Sequence, residues 1–110
     1  MLMPGPAKKV TIFVNEDSHH KRMALHDSIM NALMEAGVNG ATAMRALSGF
    51  GAHHTMHTPR IELLAEHLPV IIEFVESAAK VEEVLPKLEE LLTDGLIEVQ
   101  DTVVVKHARK

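Results

Sequence analysis

Residues 68–77 read LPVIIEFVES, and this stretch decides the fold. Most of its residues are apolar, and many of those are β-branched or aromatic, which predicts a strand buried in a sheet. Pro69 lies at the beginning, where the missing N–H does least harm to a strand. Because Glu73 follows Val70-Ile71-Ile72 directly, the apolar run is far too short to cross a membrane.

A helix is predicted directly after this strand. Ser77 is a suitable N-cap, and apolar residues follow at helical spacing on one side, at Val81, Val84, Leu85, Leu88 and Leu92. Pro86 lies inside this pattern, so we expect a kinked helix or a later start. Asp94-Gly95 ends the helix. The segments LIEV and TVVVKH then predict two short strands, separated at the turn-like pair Gln100-Asp101.

The first half of the chain repeats this arrangement. KVTIFVN, residues 9–15, predicts a central strand, and the polar segment EDSHHKR joins it to a helix. That helix has a stripe of Leu25, Ile29 and Leu33 and ends at Gly37, a residue that readily takes the left-handed conformation. Residues 41–47, ATAMRAL, predict a second strand. Residues 60–67 fit either a strand extension or a helical turn.

The resulting order predicts a ferredoxin-like β-α-β-β-α-β sandwich of the α+β class. Right-handed crossovers in both halves give an antiparallel four-stranded sheet with two helices on one face. The other face should then expose apolar residues of VTIFV and VIIEFV, so we expect self-association. Residues 8–110 are predicted to form a single domain, and residues 1–7, with prolines at positions 4 and 6, a flexible N-terminal tail.

Composition excludes several classes of protein. The 110 residues include no cysteine, which excludes disulfides and thiolate chemistry and fits a cytoplasmic location. A net charge of −4, three phenylalanines and no Tyr or Trp argue against nucleic-acid binding. The first residues, MLMPGPA, lack the apolar core of a signal peptide.

Candidate site residues cluster in SGFGAHHTMHTPR, residues 48–60. Gly49 and Gly51 would let the backbone approach a ligand closely, while Phe50 would either pack over a ring or anchor the loop. Arg45 and Arg60 have the bidentate geometry that phosphate or carboxylate requires. Arg45 fits an intersubunit salt bridge equally well. The basic residues Lys106, Arg109 and Lys110 are either additional phosphate contacts or a solvated tail.

The histidines allow a second interpretation. His53 and His57 are four residues apart and His54 is adjacent, so on a helical turn they would suit zinc or copper. Otherwise they are solvated or contact another ligand. His19-His20 would either join such a site across a subunit interface or form a solvated turn. Catalysis is not predicted, because nothing in the spacing of Ser48, His57 and Asp94 brings them together.

The ordered motifs resemble the PII signalling superfamily. The second strand runs into Gly49-Phe50-Gly51, a long loop follows, and the next strand begins with Leu68-Pro69. The chain is more similar still to the PII-like family called domain of unknown function 190. The matching segments are Leu25-His26-Asp27-Ser28-Ile29, Gly40-Ala41-Thr42-Ala43-Met44-Arg45-Ala46, Gly49-Phe50-Gly51, Met56-His57-Thr58, His67 to Glu76 and Gly95-Leu96-Ile97.

This resemblance implies a PII-like homotrimer that regulates a partner protein and is not an enzyme. It implies a small-molecule effector between subunits, such as an adenine nucleotide, and loop 48–68 as the segment that contacts the partner. Because some family members are linked by gene neighbourhood to fluoride channels, a membrane transporter or channel is one such partner. The expected ligand-binding residues are Arg45, Gly49, Phe50, Gly51, His53, His57, Thr58 and Arg60. The alternative is a metal-binding trimer similar to the CutA proteins, with His53, His54 and His57 as ligands.

The last turn departs from the PII pattern. PII proteins hold nucleotide phosphates with a TGxxGDGK loop before the final strand. Here the corresponding residues 93–98 read TDGLIE, with no lysine and an added carboxylate. The regulatory tyrosine of a PII loop is also missing, since the chain has no tyrosine.

Overall fold

A computed structural model describes residues 1–50 and 68–109. Four strands form one sheet in the order β4-β5-β1-β6, and each neighbouring pair is antiparallel. The predicted ferredoxin-like sandwich is confirmed. In chain order the elements are β1 (Gly5–Asn15), β2 (His19–His20), β3 (Met23–Ala24), α1 (Leu25–Glu35), β4 (Thr42–Arg45), β5 (Pro69–Glu76), α2 (Ala78–Leu91) and β6 (Leu96–Val104).

The two ends of the sheet differ in what they contain. At one end, which we call the loop end, β1 and β4 finish while β5 and β6 begin, as the pairings Asn15–Pro69 and Phe13–Leu96 show. At the other, the far end, β5 runs into α2 and β6 finishes. Both roots of the segment between β4 and β5 therefore lie at the loop end.

Strict alternation of burial characterises the central strand β5. Along β5 every second side chain is buried, from Val70 to Glu76, as the two-residue period of a strand requires. Helices α1 and α2 cover this face with stripes at helical spacing. The core consists of Val10, Ile12, Val14, Leu25, Ile29, Leu33, Val70, Ile72, Phe74, Val81, Val84, Leu88 and Leu91. Each large side chain buried there contributes about 1.5–3 kcal/mol relative to exposure.

Helix α2 begins where the N-cap predicts. The Ser77 hydroxyl accepts a hydrogen bond of 3.2 Å from the Lys80 N–H, which satisfies one of the free N–H groups of the first turn. Pro86 lies within the helix and is exposed. The alternative of a later helix start is therefore wrong. Neither α1 nor α2, the helices of the described ranges, is long and apolar enough to cross a membrane.

The final strand corrects two predictions. β6 is one continuous strand, and the expected break at Gln100-Asp101 is absent because these residues pair with Lys9 and Lys8 of β1. Asp101 also forms an ion pair with Lys8. The long partner strand extends β1 to Gly5, which pairs with Val104. Three residues of the predicted tail, residues 5–7, therefore belong to the sheet.

The polar segment after β1 forms a small hairpin instead of a simple turn. His19 pairs with Ala24 and His20 with Met23, and Lys21 at the tip has φ 58°. Ala24 gives α1 no side-chain cap. The hairpin folds the chain back so that the Ser18 carbonyl accepts a 2.7 Å hydrogen bond from the Leu25 N–H, the first of the helix. A backbone group thus replaces the usual cap.

Candidate functional site at the loop end

The structure describes three of the predicted ligand-binding residues, namely Arg45, Gly49 and Phe50. The others, Gly51, His53, His57, Thr58 and Arg60, lie outside the described residues, as does His54 of the metal alternative. The geometry of the site is therefore built from the loop end, where the segment leaves β4 and rejoins β5.

Two backbone hydrogen bonds hold the roots of this segment together. The Ala46 N–H, just after β4, donates to the Pro69 carbonyl over 2.9 Å. The Glu16 N–H, just after β1, donates to the Leu68 carbonyl over 3.0 Å. Since β5 lies between β4 and β1, these bonds fix three chain segments side by side.

Arg45 and Glu16 form an ion pair across this junction. Arg45 Nη2 donates to Glu16 Oε1. Arg45 pairs with Val70, whose side chain is in the core, so the arginine lies on the helix side of the sheet. Its side chain is 58% exposed, whereas that of Glu16 is only 15% exposed. The arginine thus has an intrachain partner and is still accessible to an anion.

Glu16 is the functional candidate that sequence reasoning missed. Its second oxygen, Oε2, is buried and has no hydrogen-bond partner in the part of the chain that the structure describes. A buried carboxylate oxygen without a donor is unusual, because such groups are nearly always satisfied. The available signal was a carboxylate directly after a central strand, but its partner is 29 residues away in sequence.

Gly49 approaches its own chain closely. A Cβ atom at this position would lie 2.9 Å from Pro69 Cγ, so only glycine fits without a shift. This close approach is to the start of β5, whereas the expected approach of Gly49 to a ligand stays a prediction. Phe50 and Leu47, on either side, are 60% and 83% exposed. These two apolar side chains give the loop end a surface suited to an aromatic or apolar ligand group.

The other basic candidates lie elsewhere in the chain. Lys106 and Arg109 follow β6, which finishes at the far end, so within one chain they are not brought to Arg45. Between them, His107 Nδ1 accepts a 2.9 Å hydrogen bond from the Leu2 N–H and ties the two chain ends together. His19 Nδ1 lies 2.7 Å from the Asp17 carbonyl oxygen. Within residues 1–50 and 68–109, no three His, Asp or Glu side chains are grouped to hold a metal ion.

The helix-free face of the sheet carries an apolar row near the loop end. The pairings Met44–Ile71, Ile71–Phe13 and Phe13–Leu96 place one apolar side chain from each strand in line. Met44 is 41% and Leu96 54% exposed. The next row is polar: Thr42, Glu73, Thr11 and Glu98.

Comparison with known proteins identifies the family of this chain. Residues 7–104 match the model of domain of unknown function 190, described as "Uncharacterized ACR". A UPF0166 protein of Methanocaldococcus jannaschii is 34% identical over 101 residues, which are 91% of this chain and 93% of that protein.

Solved structures agree on the fold. CPII of Thiomonas intermedia K12, a nitrogen regulatory PII-like protein bound to ADP, AMP and bicarbonate, has a TM-score of 0.73 at 21% identity, over 96% of this chain and 94% of that one. A PII-like signalling protein of Thermus thermophilus has a TM-score of 0.69 at 20% identity, over 94% of both chains. The fold is PII-like, and the chain belongs to the domain of unknown function 190 family.

Proposed function

We propose that the chain is a PII-like regulatory protein that binds an adenine nucleotide at the loop end and controls a partner protein. The observation that carries the proposal is Arg45, an exposed guanidinium held where β1, β4 and β5 meet. Guanidinium groups bind phosphate through paired, charge-assisted hydrogen bonds. Phe50, which follows Gly49 in the chain and is 60% exposed, offers an apolar surface for the base.

The fold supports the choice of ligand. CPII, which shares the fold, is described with ADP, AMP and bicarbonate bound. At 21% identity this likeness concerns architecture, so the nucleotide is carried over to this chain as a proposal. Gly51, His53, His57, Thr58 and Arg60 are proposed to complete the site.

Self-association is the second part of the proposal. The apolar row of Met44, Ile71, Phe13 and Leu96 would be covered by neighbouring copies in a homotrimer. Trimer formation would bring a second chain to the loop end and place the ligand between subunits. Loop 48–68 would then contact the regulated partner, with a membrane transporter or channel as one candidate class.

Thermal unfolding with a ligand panel tests the proposed ligand. The panel holds AMP, ADP, ATP, cyclic AMP, adenosine, zinc and copper. A ligand at 100 times its dissociation constant should stabilise the fold by about 2.7 kcal/mol. We expect a nucleotide to raise the Tm of the wild type and to lose most of that effect in Arg45→Ala. Arg22→Ala, at an exposed hairpin position, is the matched control.

Two outcomes would contradict the ligand assignment. The first is a flat response to every nucleotide from a folded protein. The second is a rise with zinc or copper alone, which would support the histidine alternative instead.

Light scattering tests the assembly. We expect a trimer for the wild type and a smaller species for Leu96→Glu, which places a carboxylate in the apolar row. Val103→Glu is the control, since Val103 is also exposed, at 67%, but belongs to the other side of the sheet. A wild-type monomer, or equal dissociation of both variants, would contradict the proposed interface.

A further inference from the structure

The Glu16 carboxylate holds Arg45 in an arrangement that leaves one of its own atoms unsatisfied. Oε1 accepts from Arg45 Nη2, while Oε2 is buried and receives no donor from residues 1–50 or 68–109. A buried carboxylate oxygen that receives no hydrogen bond is in an unfavourable environment. The ion pair therefore stabilises the empty protein less than its contact suggests.

A phosphate that reaches Arg45 competes with this carboxylate. Both are anions that take the same N–H donors of one guanidinium. When a phosphate takes the arginine, Glu16 loses its partner but is free to turn toward water and hydrate both oxygens. Without a ligand, the Arg45 guanidinium thus already binds an anionic group, the Glu16 carboxylate, that resembles a phosphate in charge and in its acceptor oxygens.

We propose that Glu16 is a built-in competitor for Arg45, and that an anionic ligand binds by displacing it. Glu16 then sets the affinity of the site for phosphate groups, and its release is the first structural consequence of binding. The proposal rests on the proposed function for the identity of the ligand, a nucleotide. For its chemistry it needs only an anion at Arg45.

Displacement of Glu16 from Arg45 would break an ion pair that lies beside both roots of the loop. Arg45 precedes Ala46, whose N–H is bonded to Pro69, and the Glu16 N–H is bonded to the Leu68 carbonyl. The ion pair is a side-chain link between the ends of β1 and β4 across β5. Its loss would leave the backbone hydrogen bonds in place but would remove this side-chain link between β1 and β4. The link lies next to the segment proposed to contact the partner.

The test is a titration of the Arg45 side-chain N–H resonance with pyrophosphate, which carries phosphate charge without an adenine ring. Arg45→Lys identifies the resonance by its disappearance. Glu16→Gln keeps the shape and an acceptor but removes the charge. We expect Glu16→Gln to bind pyrophosphate on the order of tenfold more tightly than the wild type. A gain of this size corresponds to the removal of one unit charge close to a partly exposed ligand.

Glu73→Gln is the matched control, because Glu73 is also ion-paired, to Lys9 at 2.8 Å, and is only 27% exposed. It changes the net charge equally, so its pyrophosphate affinity should stay within about twofold of the wild type, as screening predicts for distant charges. In the Arg45→Lys background, the additional change Glu16→Gln should give much less gain in pyrophosphate affinity, because the shared guanidinium is gone.

The sign of the effect decides the matter. A merely structural Glu16 would give weaker or unchanged binding in Glu16→Gln, and that result overturns the proposal, as does an equal gain in Glu73→Gln or no response of Arg45 in any variant. A tenfold gain for pyrophosphate in a protein that ignores every nucleotide would keep the competitor and refute the proposed ligand. Nucleotide binding by a protein whose pyrophosphate affinity does not rise in Glu16→Gln would keep the proposed ligand and refute the competitor.

Discussion

Two carboxylates at opposite ends of the sheet show how differently this fold uses buried charge. Glu76 closes β5 at the far end and is 3% exposed. Its Oε2 accepts hydrogen bonds from the Asn39 backbone N–H at 2.6 Å and the Asn39 side-chain amide at 2.8 Å, and its Oε1 accepts from the Ser77 N–H at 3.3 Å. Among the described residues, the carboxylate of Glu16 at the loop end bonds to Arg45 through Oε1, and its Oε2 is unsatisfied.

This difference separates a structural carboxylate, Glu76, from the carboxylate that we propose to be functional, Glu16. The Glu76 network ties the turn after α1 to the start of α2, and both oxygens accept hydrogen bonds, so neither oxygen is left unsatisfied. At the loop end the arginine is exposed and its carboxylate is incompletely satisfied. An unsatisfied buried polar group requires an explanation, and the proposed ligand exchange at Arg45 supplies one.

Glycine substitutions should show the largest contrast between the two ends. Gly95, at the loop end, has φ 141°, and an added Cβ would lie 2.2 Å from the Phe13 carbonyl oxygen. Gly95→Ala should cost at least about 3 kcal/mol of unfolding free energy, since backbone strain and a clash with backbone combine. Chemical denaturation measures it.

Gly37→Ala is the control for this prediction. Gly37, near the far end, has φ 80°, but an added Cβ would meet only the end of the Lys80 side chain, with Nζ at 3.8 Å. The expected cost is about 1 kcal/mol, from the left-handed conformation alone. Equal costs for the two alanines would show that Gly95 is not held against Phe13.

Replacing each of the two glutamates by glutamine should change the unfolding free energy by different amounts. Glu76→Gln replaces a charged acceptor of three N–H groups and should lower the unfolding free energy by about 1–3 kcal/mol. Glu16→Gln should change it by no more than about 0.5 kcal/mol, because the uncharged amide is easier to bury than a half-satisfied carboxylate. Urea titration of both variants provides the comparison. A larger loss for Glu16→Gln than for Glu76→Gln would invert the functional assignment.

Helix capping sharpens the same contrast at a smaller scale. Ser77 caps α2 at the far end, and Ser77→Ala should cost about 1 kcal/mol because the Lys80 N–H loses its acceptor. Ala24→Gly, at the start of α1, removes no side-chain cap, so its effect should come from backbone flexibility alone. Hydrogen exchange of the Lys80 amide should accelerate in Ser77→Ala. Unchanged exchange there would show that the cap is not formed in solution.

The smallest expected effect belongs to the exposed pair Lys8–Asp101. The hydrogen bond and charge of Lys8 hold the pKa of Asp101 below its ordinary value of 3.8. A lowered pKa in the folded state means that the pair adds stability above the ordinary value and loses it as the pH falls through the folded pKa. Asp101→Asn should therefore be slightly less stable than the wild type at neutral pH and equal to it in strong acid. A difference that persists in acid would exclude this origin.

The fold was predictable where burial follows sequence period. The alternation of β5 and the helical stripes at Leu25, Ile29 and Leu33 depend on residues close in sequence, so one chain suffices to find them. The extension of β1 to Gly5 and the continuity of β6 were not predictable. Turn-forming residues such as Gln100 are held extended by a partner strand about 90 positions away in sequence, as the Lys9–Gln100 pairing shows.

The site was predictable only in part for the same physical reason. Arg45 and Gly49-Phe50 are recognisable from motif order, and the structure places Arg45 and Gly49 at one junction with Pro69. Glu16 could not be identified, because its importance arises from a contact with a residue on another strand and from burial of one oxygen. Local pattern carries no information about either.

Calorimetric titration of ADP into the wild type and into Arg45→Ala tests whether the loop end binds a nucleotide through Arg45. We expect saturable binding of one ADP per chain in the wild type, and a loss of affinity of about tenfold or more when the guanidinium is removed. An absence of binding by folded wild-type protein, or equal affinity in Arg45→Ala, would contradict the assignment of the loop end as a nucleotide site.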